Sequence, residues 1–266
     1  MPELAEVEYY RKRWDPGLGG KVTGVSVHAK ARVFRDAPGT AGKIAKAVTG
    51  EPFRASFTHG KNLLFRFGND VWIGGHLGMT GSLRELPSDH TPERHDHLVL
   101  RQKGRCLAFT DPRMFGRLRL HRGKSAPTWW DSLPPGVLSN GFTKSRVAGF
   151  LQRRTASPVK ALLLEQEIFP GIGNWMADEI LWRIQLHPET HGGALSSDQS
   201  LALWKETRSV TRQALKVIGT TWDDPPNSWL FNHRWKDGGH CPRCHTELTR
   251  APIRGRTSCW CEKCQG

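Results

Sequence analysis

Near its C-terminus the chain reads Cys241-Pro242-Arg243-Cys244 and, after sixteen further residues, Cys261-Glu262-Lys263-Cys264. Two Cys-x-x-Cys knuckles at this spacing match a four-cysteine zinc ribbon, in which one structural zinc is closed tetrahedrally and keeps no open catalytic position. Five of the six cysteines fall in the last 26 residues, a clustering that suits one metal site better than dispersed disulfides. Cys259 can compete as a ligand or remain a free thiol, and His240 and His245 are further competing donors. The symmetry of the two knuckles favours Cys241, Cys244, Cys261 and Cys264. Cys106 stands alone in an alternating apolar stretch and reads as a small buried hydrophobe.

Working back from the ribbon, Phe169-Pro170-Gly171-Ile172-Gly173-Asn174 precedes Trp175–Leu181, whose apolar spacing is helical. Ser157-Pro158 is a cap and first-turn pair for an earlier helix through about Gln166, so the order is helix, two-turn, helix. The two glycines allow a tight turn whose backbone N–H groups face a phosphate, and Asn174 either caps the helix or contacts that phosphate. Ser196 with Gln199 forms a capping box for a helix ending near Gly219. The stretch 121–136, with Pro127, Pro134 and Pro135, reads as a linker.

Before the linker the pattern changes. Residues 21–121 hold short alternating segments, among them 22–27, 63–67, 71–73, 97–100, 106–109 and 118–120, separated by Gly, Asp and Pro. They predict a β-sandwich. Leu4, Val7 and Trp14 have helical spacing, and Asp15-Pro16-Gly17 ends that run. The expected fold is therefore α+β and multidomain: a β-sandwich with an N-terminal helix over 1–125, a helix–two-turn–helix domain over 136–225 and a zinc ribbon over 235–266.

The 266 residues carry 39 Lys+Arg against 25 Asp+Glu, a formal charge of +14 and a pI near 9.9. This balance favours a polyanionic partner, with nucleic acid leading. No amphipathic basic helix suggests a membrane surface, and 11 Trp are unlike a ribosomal protein. With no apolar run of transmembrane length and no basic-then-apolar leader, a cytoplasmic protein is expected.

The opening Met1-Pro2-Glu3-Leu4-Ala5-Glu6-Val7-Glu8 adds chemistry. Removal of Met1, which a small second residue usually permits, leaves a secondary amine flanked by carboxylates. An α-amino group titrates near 8 against about 10.4 for lysine, so roughly a tenth is unprotonated at neutral pH without burial. Attack on a sugar carbon gives a Schiff base, and a neighbouring carboxylate can move protons. Taken alone, the same residues better describe an acidic start to an ordinary helix.

With this start, His59-Gly60-Lys61, the run from His76-Leu77-Gly78-Met79 to Arg84, Asp111-Pro112-Arg113-Met114-Phe115-Gly116, Gly171-Ile172-Gly173-Asn174 and the ribbon occur in order. Across nearly its whole length the chain resembles the formamidopyrimidine-DNA glycosylase and endonuclease VIII family of base-excision repair enzymes. The resemblance implies a monomer that grips damaged double-stranded DNA, flips a nucleotide out of the stack and attacks its C1′ with Pro2. It implies that Glu3 protonates or stabilises the opening sugar, and that β- and δ-elimination then cut the strand. Glu6 either places water, supports the helix or is a plain exposed charge. Lys61, Asn174 and Arg256 match the family's phosphate contacts, and His95 and Lys160 join the DNA-binding set. Met79, Arg113 and Phe115 match the residues that fill the vacated stack, the formamidopyrimidine-type trio; sandwich core is the competing reading for Met79 and Phe115.

Several positions depart from the pattern. Ala5 replaces a common proline, Met114 a common basic residue, and Pro170 precedes the turn. The segment 220–239 is shorter than the usual lesion-covering stretch and richer in aromatics, so Trp229 and Phe231 either stack on a base or join the helical core to the ribbon. The expected activity is a bifunctional glycosylase and abasic-site lyase for oxidised purines. The rivals are an endonuclease VIII-like enzyme for oxidised pyrimidines and a non-catalytic DNA-binding protein, against which Pro2, Glu3 and Lys61 argue.

Overall fold

Between residues 24 and 122 the alternating segments pair into two four-stranded antiparallel sheets. In the computed structural model, which describes residues 1–266, the strands are β1 (Gly24–Val27), β2 (Phe53–His59), β3 (Asn62–Phe67), β4 (Val71–His76), β5 (Ser82–Pro87), β6 (Asp96–Gln102), β7 (Arg105–Thr110) and β8 (Arg117–Arg122). One sheet has the order β1-β6-β7-β5 and the other β2-β3-β4-β8. Because successive side chains point to opposite faces, Leu63, Phe65 and Phe67 of β3 turn to one side together, as do Leu107 and Phe109 of β7. These faces share one core with Phe53, Ile73, Leu98, Leu100 and Leu118. Trp14 closes it, 4.7 Å from Phe65 by ring centroids and donating its indole N–H to the Ala108 carbonyl at 3.2 Å.

The strands β2 and β5 and one helix arise where the hydrophobic periodicity is weak. Polar Arg54, Ser56 and Thr58 mask β2, which its partner β3 completes. The helix Thr40–Val48 buries Ala41, Ile44, Ala47 and Val48 at helical spacing, but Gly39 and Gly42 obscure the pattern.

The chain separates into two units, one of Met1–Pro2 with Glu6–Leu133, the other of Glu3–Ala5 with Pro134–Gly266. The expected linker contains a short helix, Thr128–Asp131. In the second unit the helices Lys144–Arg153, Val159–Leu162, Asn174–Arg183 and Ser197–Thr221 surround a core of Phe142, Val147, Leu162, Phe169, Trp175, Ile180 and Val210. The Ser196–Gln199 capping box is present, and the long helix runs two residues past the expected end. The helix expected from Ser157-Pro158 to Gln166 stops at Leu162. Gln166 explains this, because its side chain bonds to the Leu164 and Ile172 carbonyls and accepts from the Gly171 N–H, holding a turn instead of extending a helix.

The second unit ends in a hairpin, β9 (Thr249–Ile253) with β10 (Arg256–Trp260), followed by the short helix Glu262–Gln265. Arg254 (φ 48°) and Gly255 (φ 75°) make its turn, the positive-φ pair that a two-residue hairpin favours. No helix of the chain is long and apolar enough to cross a membrane.

Candidate functional site

The helix Asn174–Arg183 begins with backbone donors that its own turns cannot satisfy. Glu3 fills them: one carboxylate oxygen accepts from the Gly173 and Met176 N–H groups at 2.9 and 3.2 Å, the other from Trp175 at 2.9 Å. Glu3 is 3% exposed, and an added Cβ at Gly173 would lie 2.3 Å from its carboxyl carbon, so only glycine admits it. The N–H groups expected to face a phosphate are thus taken by an internal carboxylate whose charge suits a helix N-terminus. The Leu4 N–H adds a bond to the Gly171 carbonyl at 3.0 Å, so the backbone just after Pro2 is fixed.

Asn174 is the first helical residue, with Gly173 at the cap position, and its side chain makes no cap bond. Its Nδ2 donates to the Thr257 carbonyl at 2.7 Å, while its buried Oδ1 has no hydrogen-bond partner. Thr257 follows Arg256, which is exposed just past the hairpin turn. The expected phosphate contacts Asn174 and Arg256 are therefore brought within one residue of each other.

Lys160 does not join them at the surface. It is fully buried, ion-paired with Asp178 and bonded to the Asn174 carbonyl at 2.7 Å, which corrects its assignment as a DNA contact. Asp178 also accepts from Arg234 Nε at 3.0 Å and from the Cys259 N–H at 3.2 Å. Burial pushes the Lys160 ammonium below the ordinary lysine range, and the Asp178 carboxylate opposes that shift. This cluster ties the start of the helix to β10.

In the first unit Gly60 and Lys61 form the turn between β2 and β3, Gly60 supplying a φ of 59°, and Lys61 is largely buried at 8% exposure. Met79 and Phe115 are 41% and 42% exposed, so neither is sandwich core, and Arg113 lies over the Phe115 ring at 4.8 Å. Buried Asp111 holds the two loops together, accepting from Thr80 Oγ1 and the Gly116 N–H, each at 2.6 Å. Gly78 (φ 63°) permits the close approach, since an added Cβ would stand 2.4 Å from the Phe115 carbonyl carbon. His95 joins by accepting the Asp111 N–H at its carbonyl, 3.0 Å away. Glu6 is half-buried on the N-terminal helix Leu4–Lys12.

One residue beside these loops was missed from sequence, although it opens a motif that was read. The Nδ1 of His76 accepts from the Gly78 N–H at 2.9 Å, leaving Nε2 as the protonated nitrogen. Burial first, then the charges of Lys61, Arg119, Arg35 and Arg117, lower its pKa to about 4. A neutral donor therefore sits among four cations. Because the unfolded histidine titrates near 6.5, protonation favours unfolding. Stability is full above that pH and falls as pH drops toward 4, by about 3 kcal/mol. Urea unfolding between pH 7 and 4.5 should show this slope, and His76→Gln should flatten it. Asp96, held near 2 by bonds from Thr110, the Glu93 N–H, His90 and Arg84 that outweigh burial, acts in a separate and lower window.

The thiol sulfurs of Cys241, Cys244, Cys261 and Cys264 all lie within 4.8 Å of one another and could hold a metal ion. Tetrahedral bonds of about 2.3 Å place sulfurs about 3.8 Å apart; Cys241 and Cys264 are 3.9 Å apart, Cys244 and Cys264 3.5 Å. The Trp182 indole N–H points at the Cys241 sulfur from 3.3 Å, a donor suited to a thiolate. His240, His245 and Cys259 stand outside the cluster. Burial and the Asp178 carboxylate push the Cys259 thiol up to about 12, so it stays protonated. Trp229 is 6% exposed beneath Arg183 and Phe231 packs on Trp175, so both belong to the helical core, and it is Leu230 between them that packs among the ribbon cysteines.

Comparison with known proteins finds two matching family models, the formamidopyrimidine-DNA glycosylase N-terminal domain over residues 1–118 and the H2TH domain of the same enzymes over residues 133–225. The formamidopyrimidine-DNA glycosylases of Alkalilimnicola ehrlichii and Thermus thermophilus are 35% and 34% identical, covering all of this chain and 100% and 99% of their own. Among solved structures, the wild-type Lactococcus lactis enzyme bound to DNA containing an oxidized pyrimidine superposes with a TM-score of 0.88 at 26% identity, covering 99% of each chain. The same enzyme with a FAPY-dG containing DNA gives 0.87.

Proposed function

The chain belongs to the formamidopyrimidine-DNA glycosylase family and is a DNA glycosylase, and on that premise we propose that it excises oxidised purines from duplex DNA and then cuts the strand through a Schiff base on Pro2. With Met1 removed, the Pro2 nitrogen attacks C1′ of an extruded nucleotide, the bond to the base breaks and the base leaves with a proton, and opening of the sugar ring at C1′–O4′, with a proton taken up at O4′, leaves an iminium. The iminium acidifies the C2′ proton, whose loss drives β-elimination of the 3′ phosphate, with δ-elimination releasing the other side. The observation that supports this most is the seating of Glu3, peptide-bonded to Pro2 and held by three backbone N–H groups. That seat fixes the residue after the nucleophile and solvates a carboxylate as an anion, which suits stabilisation of the cationic sugar better than protonation of it.

Lys61, His76, Asn174 and Arg256 are the proposed phosphate contacts, and Met79, Arg113 and Phe115 the proposed fillers of the vacated stack. Side-by-side cleavage of duplexes carrying 8-oxoguanine opposite cytosine or thymine glycol opposite adenine tests the lesion class. Oxidised-purine turnover should exceed pyrimidine turnover about ten-fold or more, a difference of about 1.4 kcal/mol at the transition state. Equal or greater pyrimidine activity would support the endonuclease VIII-like reading instead.

We further assign zinc to the four-sulfur cluster, since a closed thiolate tetrahedron built from two Cys-x-x-Cys knuckles suits that ion. Metal analysis should give one zinc per chain. Cys244→Ser should lose the metal, unfold the β9–β10 hairpin and weaken DNA binding by an order of magnitude or more, because Arg256 stands on that hairpin. Zinc-free protein that binds DNA normally would refute the assignment.

A further inference from the structure

Trp235 is 54% exposed, more than any other large apolar side chain, although its surroundings hold it firmly. Its ring meets Phe231 edge-on at 5.1 Å between centroids, and Phe231 meets Trp175 in the same way at 4.9 Å. The Arg234 guanidinium lies over the Trp235 ring at 4.8 Å while bonding to Asp178. Phe231 is itself pinned by its N–H to the buried Glu179 carboxylate at 3.1 Å. Trp175 and Asp178 are three residues apart and share one face of the helix whose first turn holds Glu3. Two separate routes, an aromatic one through Phe231 to Trp175 and an ionic one through Arg234 to Asp178, thus tie the Trp235 ring to that helix. An exposed indole normally gains by turning its apolar body inward. Here a cation and an aromatic edge keep it out as a rigid platform.

We propose that Trp235 stacks on the extruded damaged base and supports its excision; this rests on the glycosylase reading above. Glu3, the residue next to Pro2, caps the same helix to which the platform is tied. Every base has a π-face, and stacking on an aromatic side chain is sequence-tolerant. The platform therefore acts on any planar lesion and does nothing for a site that has lost its base.

The test compares native protein, Trp235→Ala and Trp235→Phe on two duplexes, one with 8-oxoguanine opposite cytosine and one with a preformed abasic site. The alanine variant should lose about ten-fold in single-turnover excision of the base, retain strand cleavage at the abasic site within two-fold, and regain most excision as phenylalanine. Equal losses on both duplexes, or no loss on either, would overturn the assignment. If native protein cleaves abasic sites but excises no 8-oxoguanine, the purine reading fails, and the same comparison on thymine glycol decides whether Trp235 stacks. If it excises neither base, the assignment falls with the glycosylase reading.

Discussion

Asp178→Ala should cost the second unit about 3–5 kcal/mol, a large share of the 5–15 kcal/mol that holds a typical domain together. The carboxylate is 1% exposed and answers Lys160, Arg234 and the Cys259 N–H at once. Without it two cations remain in the interior. Lys160, already shifted toward neutrality by burial, can release its proton, but a guanidinium cannot, so Arg234 carries most of the penalty. Denaturant unfolding followed through tryptophan fluorescence measures the loss. Because the pair is expensive to break but not necessarily stabilising as a whole, Lys160→Met, Asp178→Leu and Arg234→Met together should recover much of it. A single Asp178→Ala variant within about 1 kcal/mol of native would mean that water reaches the cluster and that it does not tie the helix to the hairpin.

What could be read from the chain beforehand follows the range of the interactions concerned. The ribbon ligands obey a spacing rule internal to two knuckles, and the capping box at Ser196 and Gln199 spans four residues, so both were legible. The sandwich was legible in its strongly alternating strands and not in β2, whose polar residues make sense only against β3. The Glu3 cap joins residues 170 and more positions apart, and no local pattern announces it. Hence the turn before Asn174 looked like a phosphate cradle when its donors were already in use. Lys160 failed for a related reason: a lysine near a helix start is ordinarily solvated, and only the later Asp178 and Arg234 make burial tolerable. His76 shows the reverse case, in which the motif was evident but the cations that set its charge state come from separate elements of the fold.

The largest expected effect concerns the nucleophile. Converting the Pro2 amine into an amide by an N-terminal extension removes its lone pair, and strand cleavage should fall by on the order of a thousand-fold or more. The fold should survive, since Glu3 and Leu4 anchor the chain beyond that point. The decisive measurement is borohydride trapping on a duplex carrying an abasic site, comparing Met1-processed protein with the extended form at concentrations where both are shown to bind an uncleavable abasic analogue. The account predicts a covalent protein–DNA product with the processed chain and none with the extended one. Equal trapping by both would place the imine on another amine and contradict the assignment of Pro2.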